Sequence, residues 1–272
     1  GGMLLHNFII WRRKAILRRN EHRRIVVRMD RNQRIQHLTL LISFFVLVIT
    51  GFALKFPDSW FASLLHMSET VRGILHRTAG GALMAVSLYH VGYLLLSREG
   101  RRFMSAMLPV PKDAADAYGT MRHYLGLSPA KPQFTRFNYA EKAEYWALVW
   151  GTIVMASTGL ALWFKVAIGH LLPRWWLDVA TAIHFYEAVL ATLAILVWHF
   201  YQIMGDPDVY PMNWAWYDGR MSVEHYQEEH GLDGETVLRS VEAEAAKNAA
   251  RDHGAPAAAE SEKEEPVSTH HD

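Results

Sequence analysis

Cysteine is absent from the 272 residues, and this absence removes several kinds of redox chemistry. Without thiolates the chain cannot form a c-type haem attachment motif, hold an iron–sulfur cluster or close a disulfide. Any redox group that it carries must therefore be held without a covalent bond to the chain.

Charge is nearly absent from four long apolar segments, which are residues 38–54, 79–96, 146–164 and 185–204. Each has about the ~20 residues that cross a hydrocarbon core as a helix. None shows the single polar stripe of a buried soluble helix. The sequence therefore predicts an all-α, integral membrane four-helix bundle with a basic N-terminal amphipathic segment and a polar C-terminal tail.

Lys and Arg gather at residues 12–34 and in the 97–142 connection, and are much rarer at 55–78 and 165–180. The positive-inside rule then places both termini and the middle connection in the cytoplasm. We expect a multi-pass protein of the bacterial cytoplasmic (inner) membrane, in contact with lipid and without a cleavable signal peptide. The basic run adjoins a span, so nucleic acid is not an expected partner.

Composition divides the chain into four parts. We predict a cytoplasmic basic amphipathic arm at 1–34, a four-helix transmembrane domain at 35–204, an ordered cytoplasmic extension at 205–242 and a disordered tail at 243–272. Four prolines in 98–135 predict a loop there with at most short helices. Asn138 is a candidate N-cap for the third span.

Five histidines lie in or at the ends of the apolar segments: His37, His76, His90, His184 and His199. Their intervals of fourteen (His76 to His90) and fifteen residues (His184 to His199) span ~21 to 23 Å of helix, nearly one membrane thickness. Each pair stays on one helix face, within ~40 to 60°. The pattern predicts histidines at two depths, as axial ligation of two stacked haems requires. Hydrogen-bonded structural histidines are the other interpretation, and the remaining histidines, including His230, are interpreted as solvated.

Two arginines lie close to these histidines in sequence, Arg34 before His37 and Arg77 after His76. Either could pair with a haem propionate, or extend to the membrane surface. Gly51 and Gly159 follow threonines in spans one and three, and could serve close helix packing or leave room for a macrocycle.

Taken together, these residues resemble the diheme membrane cytochrome b family, which includes formate dehydrogenase gamma subunits, nickel–iron hydrogenase b-type cytochromes and thiosulfate reductase cytochrome b subunits. The resemblance covers roughly residues 30–225. The matching stretches are Arg34-Ile-Gln-His37, Thr50-Gly51, Arg72-Gly-Ile-Leu-His76, Phe137-Asn138 with Lys142 and Trp146, Thr158-Gly159, Ile183-His184, His199-Phe-Tyr201 and Asp218-Gly-Arg220.

The resemblance implies two haems b. His76 and His184 would hold the outer haem, and His37 and His199 the inner one. Menaquinone or ubiquinone would exchange electrons near the inner haem, beside Asn138. The chain differs from the family pattern in an interval of fifteen rather than fourteen in helix four. It also has the additional His90, which is an alternative partner of His199, a residue of the quinone pocket or an extra structural histidine.

The expected function is that of a respiratory electron-transfer subunit, linking the quinone pool to a soluble or peripheral redox subunit that carries haem c, iron–sulfur or another centre. Two alternatives belong to other classes. A histidine-lined transporter would bind no haem. A haem-containing anchor would bind haem but would not react with quinone.

Overall fold

The computed structural model describes residues 25–206 without a break, together with shorter stretches at 6, 8–13, 16, 209–210, 212–223, 226–227, 230–234, 237–239 and 241–242. The predicted tail at 243–272 and much of the predicted basic arm lie outside the described residues. Within the arm, residues 8–13 are helical.

Among the described residues, four helices are long and apolar enough to cross a membrane. We call them spans 1 to 4. Span 1 is α1 (Arg31–Lys55), span 2 is α3 (Glu69–Leu96) and span 3 is α6 (Tyr139–Trp163). Span 4 is α8 (Trp175–Leu193) continued by two π-helical segments, Ala194–His199 and Tyr201–Gly205. The predicted all-α membrane bundle is confirmed.

The spans form two hairpins, because span 1 packs chiefly on span 2 and span 3 packs chiefly on span 4. Spans 1 and 3 are both 25 residues long and begin with the same device. Asp30 caps span 1 in a capping box with Gln33, and Asn138 caps span 3 in a capping box with Glu141. Each box satisfies backbone N–H groups that a helix start leaves without partners.

Short helices connect the spans. At one end of the bundle lie α2 (Trp60–Leu64) and α7 (Lys165–Leu171). At the other end the connection between spans 2 and 3 forms α4 (Arg98–Met107) and α5 (Pro111–Tyr124), which are longer than the short helices predicted. The prolines do not break them, because Pro111 occupies the first turn of α5, where proline is favoured.

A small folded unit beside the start of span 1 joins residues that precede span 1 to residues that follow span 4. Strand β1 (Ile25–Val27) pairs antiparallel with β2 (Arg220–Ser222), which follows the short helix α9 (Ala215–Asp218). The Arg28 guanidinium donates to the Arg136 carbonyl oxygen at 2.7 Å and lies 4.6 Å from the centre of the Phe137 ring. The strand pair is thereby attached to the residues that lead into span 3.

His230 is only 1% exposed, so the prediction that it is a solvated surface group was wrong. Its Nδ1 donates to the carbonyl oxygen of Thr135 at 2.8 Å, and its ring packs against Tyr226. Burial, and next the hydrogen bond to Asp233, raise the pKa of the Tyr226 hydroxyl well above its usual range. Residues far apart in sequence create this environment, and local composition carries no sign of it.

Candidate cofactor site

The structure brings four of the five predicted histidines together as two pairs. The rings of His37 and His199 have centroids 6.5 Å apart, and we call them pair 1. The rings of His76 and His184 have centroids 6.3 Å apart, and they form pair 2. Metal-bound imidazole nitrogens lie ~2 Å from their ion, which puts two ring centroids on opposite sides of one ion about 6 Å apart. Both pairs therefore have the spacing of two axial ligands.

Hydrogen bonds set the tautomer of pair 2. Thr50 Oγ1 lies 2.6 Å from the Val46 carbonyl oxygen and 3.0 Å from His76 Nδ1. A hydroxyl has one hydrogen, and a carbonyl oxygen can only accept, so Thr50 donates to Val46 and accepts from His76 Nδ1–H. In a neutral imidazole the lone pair then remains on Nε2, the atom that a metal would bind.

The second ring of pair 2 is held in the same way. Thr158 Oγ1 lies 2.7 Å from the Val154 carbonyl oxygen and 2.9 Å from His184 Nδ1. The same argument leaves the lone pair of His184 on Nε2.

Two glycines allow these rings to approach the neighbouring helix. A Cβ at Gly51 would lie 3.1 Å from His76 Cε1, and a Cβ at Gly159 would lie 3.2 Å from His184 Cε1. Both distances are tighter than most carbon contacts, so any larger residue would push the ring away. The glycines thus serve close approach of the imidazoles, a third interpretation beside helix packing and room for a macrocycle.

Pair 1 has a different environment. His199 Nδ1 lies 3.1 Å from Glu144 Oε2, so a carboxylate accepts its hydrogen, and the lone pair is again left on Nε2. His37 Nδ1 is buried without a protein hydrogen-bond partner. Glu144 carries no sequence motif, and sequence reasoning missed it.

His90 differs from the other four because both of its nitrogens are engaged. Its Nδ1 lies 2.7 Å from Gln36 Oε1, and its Nε2 lies 3.1 Å from the hydroxyl of Tyr145. The amide oxygen accepts from Nδ1–H, so Nε2 accepts from the tyrosine. The lone pair that a metal would need is therefore directed to Tyr145.

The π-helical segment Ala194–His199 follows His184 in span 4 and ends at the second histidine of that span, His199. Its hydrogen bonds run from residue i to i+5, as from the Phe200 N–H to the Ile195 carbonyl oxygen, so its turns hold more residues than α-helical turns. The segment accommodates the additional residue of the fifteen-residue interval and leaves His199 facing His37.

Three arginines lie near the pairs. Arg34 donates from Nη1 to the Tyr217 carbonyl oxygen at 2.9 Å, and its buried Nε has no partner. Arg72 is 7% exposed, donates to the Ala53 carbonyl oxygen at 2.8 Å and also has a buried, unpartnered Nε. Arg77 is exposed, with its guanidinium 5.9 Å from the centre of the Trp163 ring. Sequence reasoning missed Arg72, although the Arg72-Gly-Ile-Leu-His76 stretch contained it.

Asn138, which the resemblance places beside the quinone, lies with other polar residues at the start of span 3. Asn138 uses its side-chain oxygen to cap the helix through the Glu141 N–H, at 2.9 Å. Lys142 is buried and pairs with Asp113 of α5 at 2.8 Å. These contacts hold the start of span 3 in place, and Glu144 and pair 1 lie near it.

Comparison with known proteins identifies the family of the chain. Residues 10–206 match the family described as prokaryotic cytochrome b561. A similar curated protein is the cytochrome b556 subunit of formate dehydrogenase from Haemophilus influenzae, at 26% identity over 177 residues. The match covers 65% of this chain and 69% of that protein. The resemblance to membrane b-type cytochromes is confirmed, and the chain belongs to the prokaryotic cytochrome b561 family, whose members are integral membrane cytochromes that carry electrons through b-type haem.

Proposed function

We propose that the chain binds two haems b and carries electrons across the membrane between a quinone and a redox partner subunit. The observation that carries the proposal is the presence of two histidine pairs with nearly equal ring separations, 6.3 and 6.5 Å. Pair 1 would ligate one haem and pair 2 the other. Bis-histidine haem supplies one-electron redox chemistry with no open position on the iron.

The surrounding residues fit such a group. Three of the four imidazoles have an Nδ1–H acceptor, which orients the ring and leaves Nε2 available. The unpartnered Nε atoms of Arg34 and Arg72 are donors suited to propionates, Arg34 beside pair 1 and Arg72 one turn from His76. Arg77 stays a further candidate. His90 is not a proposed ligand, because Tyr145 holds its Nε2.

We also propose a catalytic partner subunit and a quinone site. The similar protein is named as a subunit of formate dehydrogenase, and a chain of this kind would serve a catalytic subunit bearing haem c, iron–sulfur or another centre. Menaquinone or ubiquinone would react near pair 1, where Asn138, Glu141, Lys142 and Glu144 collect at the start of span 3. The proposed location is the bacterial cytoplasmic membrane, with both termini in the cytoplasm.

Haem quantitation tests the proposal directly. The purified protein should give two haems b per chain by pyridine haemochrome, and a quinol analogue should reduce them. A chain without haem absorbance would support a histidine-lined transporter. Haem that no quinol reduces would support an anchor without quinone chemistry.

Single substitutions separate the proposed ligands from His90. His37→Ala and His76→Ala should each lower the haem content from two to one per chain, because each removes one axial ligand. His90→Ala should keep two. If His90→Ala loses one haem and His37→Ala keeps both, His90 is the ligand that faces His199.

A further inference from the structure

The two hairpins repeat the same residues at a constant offset of 108 positions. Thr158, Gly159 and His184 follow Thr50, Gly51 and His76 by this interval. The threonine–histidine hydrogen bond spans 26 residues in each hairpin. The offset also relates the two N-caps, the two capping-box partners and the two C-caps, which are Asp30 and Asn138, Gln33 and Glu141, and Phe56 and Phe164.

The repeat extends to pair 1, with one informative difference. Glu144 is the counterpart of Gln36, and His199 is the counterpart of His90 after allowance for the extra residue in the π-helical segment. Gln36 holds His90 through Nδ1 at 2.7 Å across 54 residues, and Glu144 holds His199 through Nδ1 at 3.1 Å across 55. The same contact is therefore made twice, once by a neutral amide and once by a carboxylate.

The negatively charged acceptor belongs to the histidine whose Nε2 is free to bind metal. Tyr145 takes the Nε2 of His90, whereas its counterpart at the 108 offset, His37, faces His199 across 6.5 Å. In pair 2 the acceptors for Nδ1–H are the neutral hydroxyls of Thr50 and Thr158. Among the polar contacts described for the four paired rings, the carboxylate belongs to His199.

We infer that Glu144 is a positioning residue that lowers the reduction potential of the pair 1 haem below the value that a neutral acceptor would give. A carboxylate that accepts Nδ1–H makes the imidazole a stronger donor to iron, and hydrogen bonding and nearby charge are main determinants of haem potential. Its negative charge also favours the more positive ferric state. The inference rests on the proposed ligation of two haems.

The test is a spectroelectrochemical titration of the purified, haem-loaded protein and its Glu144→Gln variant. The amide keeps the size of the side chain and an acceptor oxygen but removes the charge. One of the two midpoint potentials should rise and the other should stay unchanged. The low-spin ferric electron paramagnetic resonance signal of the same haem should change as well. The pair 1 haem is identified as the one missing from His37→Ala.

Gln36→Glu is the matched control, because it puts a carboxylate on the counterpart contact to His90, which binds no iron in the proposed arrangement. It should leave the pair 1 potential much closer to the wild-type value than Glu144→Gln does. Glu144→Ala removes both acceptor and charge, and should shift the same potential upward if the glutamine variant does not load both haems.

Two haems whose potentials are both unchanged in the Glu144 variants would overturn the inference. So would an equal shift of both haems, or an equally large shift in Gln36→Glu, because either would indicate a general field effect. A wild-type protein without haem would instead overturn the proposed function, so the two failures are distinguishable.

Discussion

Three of the four proposed haem ligands, His76, His184 and His199, are held by a side chain that is distant in sequence. His76 touches Gly51 and Thr50 of span 1, and His184 touches Gly159 and Thr158 of span 3. The threonine fixes the tautomer and the adjacent glycine gives the ring room. A ring placed by two such contacts has little freedom to turn, so its Nε2 direction is set before any metal arrives.

Gly51→Ala should disturb pair 2. The added Cβ would lie 3.1 Å from His76 Cε1, so the ring must move, and overpacking of this kind costs about 1–3 kcal/mol. We expect a lower thermal midpoint and partial loss of one haem, measured by thermal denaturation and haem absorbance.

The control is Gly92→Ala in span 2, where a Cβ would meet nothing within 4 Å. Alanine is favoured over glycine inside a helix by about 1 kcal/mol, so this variant should be as stable as wild type or more stable. Equal effects of the two substitutions would contradict a specific role for Gly51.

The sequence predicted the histidines but not what holds them. Each interval of fourteen or fifteen residues lies within a single apolar segment. It therefore predicts the helix face and the membrane depth of both histidines in that segment. The partners Thr50 and Glu144 act across 26 and 55 residues, so their role depends on which helices pack together. Arg72 was hidden for the same reason, because its burial depends on span 1.

At the scale of secondary structure, the π-helical part of span 4 resolves a mismatch that was visible in the sequence. Span 2 carries its histidines fourteen residues apart and span 4 carries them fifteen apart. The extra residue was evident in the sequence. Its effect on the direction of His199 depends on whether the helix keeps its α-helical hydrogen bonds and rotates, or changes its hydrogen bonding. The segment Ala194–His199 changes its hydrogen bonding.

Deletion of Val197 should therefore be tolerated. The deletion restores an interval of fourteen, and a regular α-helix would then present His199 much as span 2 presents His90. We expect two haems per chain in the purified deletion variant, by pyridine haemochrome. Loss of the pair 1 haem would show that the π-helical turns themselves are required.

Deletion of Ile42 in span 1 is the comparison. That helix has no additional residue to lose, so the deletion turns His37 by ~100° relative to Thr50. One haem should then be lost.

For the whole molecule, the absence of cysteine offers a clean test of orientation. Ser63 of α2 and Ser105 of α4 are both exposed and lie in connections at opposite ends of the bundle. The distribution of Lys and Arg predicts that the Ser105 side faces the cytoplasm. A membrane-impermeant thiol reagent added to intact spheroplasts should label Ser63→Cys and leave Ser105→Cys unlabelled until the membrane is permeabilised. The opposite pattern would reverse the proposed topology.

The apolar middle portions of spans 3 and 4 contain no buried residue. Among the described residues, the largest fully buried side chains are Val223 and His230, which lie outside the spans. The stability of these two spans must therefore draw on their surroundings and on the proposed haems, which would bind the folded chain and stabilise it by mass action. The amount of this protein in the cell would then depend on the supply of porphyrin. A chain synthesised during iron or haem starvation would unfold more often and be cleared by membrane proteases, so abundance itself would report cofactor delivery.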